Sequence, residues 1–178
     1  MSSRFLLDTN VLSEFNRRRE PNERVKQWLD ATPLQSLCVS VITLAEIRLG
    51  IELLSPGKRR EQLEQWINGD FQRWFQGRVL PVDASIVTLW ASLTAERQRH
   101  GRPLSNFDGL LAATALHHDL TLATRNVRDF VDLKITLFNP WEPEPPRWPK
   151  ASPAEPPSPE QDHEPERDPP EQDTDPER

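Results

Sequence analysis

RFLLDTNVLSEF, residues 4–15, begins as a strand and ends as a helix. Phe5, Leu6 and Leu7 form an unbroken apolar run, as in a short strand buried inside a sheet. Asp8 stops the run. Asp8 or Thr9 can cap a helix, and Val11, Leu12 and Phe15 then share one side of it. The same passage recurs downstream. SLCVS (36–40) is a strand candidate followed by helical ITLAEIRLGIELL (42–54), and RVLPV (78–82) leads into a helix from Asp83 to about His100. PNERVKQWLDAT (21–32) places Val25, Trp28 and Leu29 at helical spacing. Lys58 to Gln76 reads as one helix with Leu63, Trp66, Ile67, Phe71, Trp74 and Phe75 as its apolar stripe. Asn106 to His118 is a helix rich in Ala and Leu, and LTLAT (120–124) and ITLF (135–138) complete the strands. Strands alternating with helices predict an α/β sandwich with a mostly parallel central sheet.

Composition divides the chain in two. Of 18 prolines, 12 lie in residues 143–178, with 11 acidic and 4 basic residues. That segment carries a net −7, so residues 1–142 carry +1 and the overall −6 belongs to a tail. A tail this poor in apolar residues cannot bury a core, and it reads as disordered from about Glu144. The expected organisation is a folded domain over 1–142 and a Pro/Glu-rich acidic tail over 143–178. The single cysteine, Cys38, lies in an apolar run and reads as a small buried hydrophobe. The start is too quickly acidic for a signal peptide, and no run is long enough for a membrane span. These features suit a cytoplasmic protein with no membrane partner.

Functional groups of an open parallel sheet collect at the carboxyl ends of its strands. Asp8 ends the first strand, and Asn126 stands just past LTLAT. Glu46 and Asp108 fall in the first turns of the helices after SLCVS and near Asn106. All four are expected at one sheet edge. Gathered carboxylates repel, and burying them uncompensated is costly. Mg²⁺ resolves the conflict, because it takes a few hard oxygen ligands, keeps several waters and binds phosphate oxygens. Taken singly, Asp8 can be a helix cap, Glu46 a solvent-facing residue and Asp108 a first-turn acid favoured by the helix dipole. Their common placement is what favours a metal site.

LLDTNVLSE (6–14) closely resembles the opening motif of PIN-domain nucleases. The likeness continues through VITLAEIRLGIELL (41–54), FDGLLAATALHHDLTLATRNVRDF (107–130) and LFNPW (137–141), in the order seen in VapC toxins of the FitB-like branch. The resemblance implies a three-layer α/β/α PIN fold and an endoribonuclease using Mg²⁺, with Mn²⁺ able to substitute. It implies an RNA substrate, a homodimer, and neutralisation by a small VapB- or FitA-type antitoxin. It places the first three family acids on Asp8, Glu46 and Asp108. The fourth position is occupied by Asn126, with Asp129 three residues on as its rival, and Thr124 can add a hydroxyl.

Two other readings stand beside this one. The chain can be a catalytically weakened PIN-fold protein that binds nucleic acid or antitoxin, and Asn126 is the hint for it. It can also be a phosphohydrolase with Asp8 as nucleophile, although Asn10 replaces the second acid such enzymes resemble one another in having. Arg17, Arg18, Arg19, Arg59 and Arg60 are candidate phosphate contacts. Arg48 and Arg125, nearer the acids, either hold substrate phosphate or offset carboxylate repulsion. His117 and His118 suit a helix C-terminus.

Overall fold

The computed structural model describes residues 4–15 and 21–143. The expectations for Arg17 to Arg19 and for the tail from Glu144 lie outside the described residues. Five strands run parallel: β1 (Phe5–Leu7), β2 (Leu37–Ser40), β3 (Val79–Leu80), β4 (Thr121–Ala123) and β5 (Leu137–Phe138). Their order across the sheet is β3-β2-β1-β4-β5. The first strand in sequence is therefore central. Leu6 lies beside Cys38 on one flank and Leu122 on the other.

Pleating sends alternate side chains to opposite faces. Leu6, Cys38 and Leu122 go to one face with the buried Leu111, Ala112 and Ala115 of α7 (Asn106–His117). Small alanines let this helix lie close to the sheet. On the other face Phe5 and Phe138 meet Trp28 of α2 (Glu23–Ala31), with ring centroids 4.9–5.5 Å apart. The α/β/α sandwich expected from the sequence is the fold observed. Cys38 is free and buried, as expected.

The other helices are α1 (Thr9–Phe15), α3 (Val41–Glu52), α4 (Lys58–Asn68), α5 (Asp70–Trp74) and α6 (Ala84–Arg99). One expectation needs correction. The single helix read over 58–76 breaks at Gly69, whose backbone sits at φ −113°, ψ −89°. Asn68, Gly69 and Asp70 are poor helix formers in sequence, and glycine gains least from staying helical. The apolar stripe runs straight through the break: Ile67, Phe71 and Phe75 are all buried. Leu63 and Trp66 instead line a groove against α1 and α3.

Candidate active site

Asp8 follows β1 directly, and its backbone N–H donates to the Ala123 carbonyl at 3.0 Å, extending the β1–β4 ladder by one residue. That pairing brings Thr124, the residue after β4, beside it. Thr124 is fully buried, and its hydroxyl donates to Asp8 Oδ2 at 2.5 Å. Asn10 Nδ2 donates to the same oxygen at 2.6 Å and to Thr124 Oγ1 at 3.2 Å. Asn10 Oδ1 accepts from the Arg125 amide at 3.3 Å, and the Asn126 amide donates to Thr124 Oγ1 at 3.0 Å. Asn10 thus stitches the loop after β1 to the loop after β4.

Glu46 lies on α3. Ser40 caps that helix by accepting from the Ile42 amide, and the buried Thr43 hydroxyl donates to the Leu7 carbonyl at 3.2 Å. These bonds fix α3 against the end of β1. The Thr9 hydroxyl then donates to Glu46 Oε2 at 2.5 Å.

Asp108 lies in the first turn of α7. Ser105 caps the helix reciprocally: its Oγ accepts from the Asp108 amide at 3.0 Å and donates to Asp108 Oδ2 at 2.7 Å. Gly109 sets how closely α7 approaches α6. A Cβ there would lie 2.8 Å from Trp90 Cδ1, so only glycine allows this crossing beside Asp108.

The three acids feel one another. Burial raises the Asp8 pKa, the Thr124 hydroxyl and the Thr9 and Asn10 amides pull it down, and the Asp108 charge raises it. Burial also raises the Glu46 pKa; Thr9 opposes this, and repulsion from Asp8 and Asp108 adds to it. Side chains 100 residues apart in sequence therefore share one electrostatic environment.

Asn126 and Asp129 do not join that set. Both are exposed, and neither is among the groups that shift Asp8 or Glu46. Asp129 uses its backbone carbonyl to accept from Arg97 at 3.2 Å. The basic candidates separate in the same way. Arg48 donates to Asn68 at 2.7 Å, and Arg60 pairs with Glu52 and Glu64. Arg125 lies over the Trp141 ring. Sequence reasoning did not find Asn10 or Ser105 as site residues, and it read Thr9 only as a cap. The signals were the Asn two residues after Asp8 and the S-x-x-D spacing of a capping box.

Among the described residues no three His, Cys, Asp or Glu side chains converge tightly enough to enclose a metal ion by themselves. The donor chemistry still fits Mg²⁺. All the donors are hard oxygens, two of the carboxylates are held partly protonation-prone by burial and mutual repulsion, and this ion keeps much of its water.

A family model described as the PIN domain matches residues 5–135. The chain belongs to the PIN-domain family. Among PIN-domain relatives it is 42% identical to the toxin FitB of Neisseria gonorrhoeae over 136 residues, spanning 76% of this chain and 97% of FitB. It is 38% identical to the VapC ribonuclease Y4jK of Sinorhizobium fredii, over 78% of this chain and 98% of that protein. The solved structure of FitAB bound to an IR36 DNA fragment superposes with a TM-score of 0.74 at 41% identity, covering 79% of this chain and 97% of that one. These likenesses place the PIN-domain chain in the VapC group, FitB-like branch. No described helix is long and apolar enough to cross a membrane.

Proposed function

We propose that this chain is the toxin of a toxin–antitoxin pair, an endoribonuclease that hydrolyses RNA phosphodiester bonds with a divalent cation held by Asp8, Glu46 and Asp108. The observation that carries the reading is the gathering of the acids at the carboxyl edge of the sheet, where Thr43 ties the helix of Glu46 to the Leu7 carbonyl beside Asp8 and the Asp108 charge acts on both of the other carboxyls. Mg²⁺ is the ion assigned, with Mn²⁺ able to substitute. When bound, it supplies charge neutralisation, polarisation of the phosphodiester and a lowered pKa for attacking water. The chain's own part is positioning. Thr124 and Asn10 keep the Asp8 carboxylate oriented, and their hydrogen bonds favour its ionised form. Thr9 does the same for Glu46, and Ser105 for Asp108. A second ion would need Asn126 or Asp129, so the proposal rests on one ion.

The proposed antitoxin, of VapB or FitA type, has a groove of about 310 Å³ to occupy beside Glu46. Leu12, Ile47, Leu54, Leu63 and Trp66 line it, and the buried Trp66 indole N–H has no acceptor among the described residues. Apolar walls of this kind suit the apolar face of an amphipathic helix. A second copy of the chain is the other proposed protein partner. We place the protein in the cytoplasm, with residues 1–142 as the nuclease domain and 143–178 as an appended tail.

The test is direct. Purified protein with Mg²⁺ should cut structured RNA, and Asp8→Asn should lose that activity while keeping its fold. Equal cleavage by the two proteins would remove the reading. Calorimetric titration with Mn²⁺ separates it from the binding-module alternative, which expects no heat of binding.

A further inference from the structure

Arg125 stands beside the acid site, and its guanidinium has no carboxylate partner among the described residues. It follows Thr124 at the end of β4, and its amide is held by the Asn10 side chain that also bonds Asp8. Its guanidinium carbon lies 5.5 Å from the centre of the Trp141 ring, and the residue is exposed. Among the described residues it makes no ion pair, and its side-chain N–H groups have no acceptor. The other arginine on an aromatic ring, Arg78 over Phe75, is different. Arg78 spends its N–H groups on the Leu34 and Leu37 carbonyls, a structural tie.

Trp141 is placed as firmly as Arg125. It follows β5, whose pairing with β4 continues in the Thr124 amide donating to the Phe138 carbonyl at 2.9 Å. Asn139 then builds a tight turn. Its Oδ1 accepts from the Trp141 amide at 3.1 Å, its carbonyl accepts from the Glu142 amide at 3.2 Å, and its Nδ2 donates to Glu142 Oε1 at 2.9 Å. Trp141 remains half-exposed. A cation beside an aromatic ring therefore extends from the carboxyl edge of the sheet, on a residue whose backbone amide is one side chain away from Asp8.

A guanidinium beside a tryptophan ring has N–H groups to offer phosphate oxygens, and the ring offers a face on which a base can stack. We infer that Arg125 and Trp141 form a nucleotide-binding subsite that grips single-stranded RNA next to the scissile phosphate. This rests on the ribonuclease reading above and adds a substrate-holding site to it. Arg125 supplies the charge and Trp141 supplies the plane. Arg125 makes no ion pair among the described residues, which leaves its guanidinium available to substrate.

The experiment uses the full chain, Mg²⁺ and a short, end-labelled, fully 2′-O-methylated RNA, which binds without being cut. Anisotropy titrations are run across a range of salt, alongside cleavage of the unmodified RNA. Arg125→Gln should weaken binding about tenfold and lower the salt slope by about one. Trp141→Leu should weaken it about fivefold with the salt slope unchanged, and Trp141→Phe should bind nearly as wild type. In cleavage, both weak variants should raise KM and leave kcat largely in place. Arg125 is exposed, so Arg125→Gln keeps the test valid if Trp141→Leu proves unstable by circular dichroism. Wild-type cleavage combined with wild-type affinity and slope in Arg125→Gln overturns the subsite alone. A wild-type chain that neither binds nor cuts RNA overturns the ribonuclease reading and the subsite together.

Discussion

Thr124→Val removes one hydroxyl from the buried heart of the site and keeps the shape of the side chain. Three hydrogen bonds meet at that hydroxyl: one donated to Asp8 and two accepted, from Asn10 and the Asn126 amide. Asn10 and Asn126 reach solvent, so water replaces their bonds at little cost. The bond to the Asp8 carboxylate is buried and charge-assisted, worth about 1.5–3 kcal/mol. We expect a loss of about 2 kcal/mol at neutral pH, which for a domain of this size lowers Tm by roughly 6 °C. The pH dependence is the sharper test. Burial holds the folded Asp8 carboxyl above its usual range, and the Thr124 hydroxyl is the largest influence pulling it back. Without that hydroxyl, ionising Asp8 in the folded chain becomes harder still. At 1.36 kcal/mol per unit, a loss of about 2 kcal/mol should move the acidic limb of kcat/KM up by about 1.5 pH units. The stability deficit should be full at neutral pH, where Asp8 is charged. It should shrink as pH falls through the raised range of the folded proteins, above the ordinary aspartate range, because Asp8 is then protonated in both folded chains and the unfolded chain is common to the two. Thermal melts and pH–rate profiles of the two proteins measure both effects. An unmoved acidic limb, with a deficit independent of pH, would refute the reasoning.

Three further outcomes follow from the same geometry. Mn²⁺ at a hundred times its Kd should stabilise the fold by about 2.7 kcal/mol near neutral pH and by less near pH 5, where protons compete for the raised carboxyls; melting curves insensitive to Mn²⁺ at both pH values would count against the site. Gly109→Ala should cost about 1–3 kcal/mol, because its Cβ would press on Trp90, and a denaturant midpoint equal to that of wild type would show that the helix crossing is looser than described. Ser105→Ala should lose about 1 kcal/mol with the helix cap and should also slow cleavage, whereas Ser105→Thr should retain both; a stability loss without any change in rate would leave Ser105 a cap and nothing more.

The strands and most helices were legible because their burial is written in unbroken apolar runs and in helical spacing. Leu6, Cys38 and Leu122 are neighbours in the sheet, and each already stood in such a run. The break at Gly69 was hidden, because the stripe from Ile67 through Phe71 to Phe75 keeps its spacing across it. Asp8 was visible because it interrupts an apolar strand. Glu46 and Asp108 were legible only as acids in early helical turns, and the resemblance carried them further. The site roles of Asn10 and Thr9 were missed because a polar residue in a first turn looks the same whether it caps a helix or serves a site. Their roles depend on β1 lying beside β4, a pairing between residues more than 100 positions apart that no local pattern announces.

That pairing also sets when the site can exist during the life of the chain. The central strand precedes both of its flanking strands in sequence and waits for one of them until position 121 and beyond has been made. Until then Asp8 lacks Thr124, the α7 helix that carries Asp108 has no complete sheet to lie on, and β1 has one open flank. Contacts this distant in sequence form slowly, since the closure of a long loop precedes any gain from packing. A nascent copy therefore lacks the Thr124 hydroxyl that orients Asp8, and the site is assembled only after nearly all of the described fold has been synthesised.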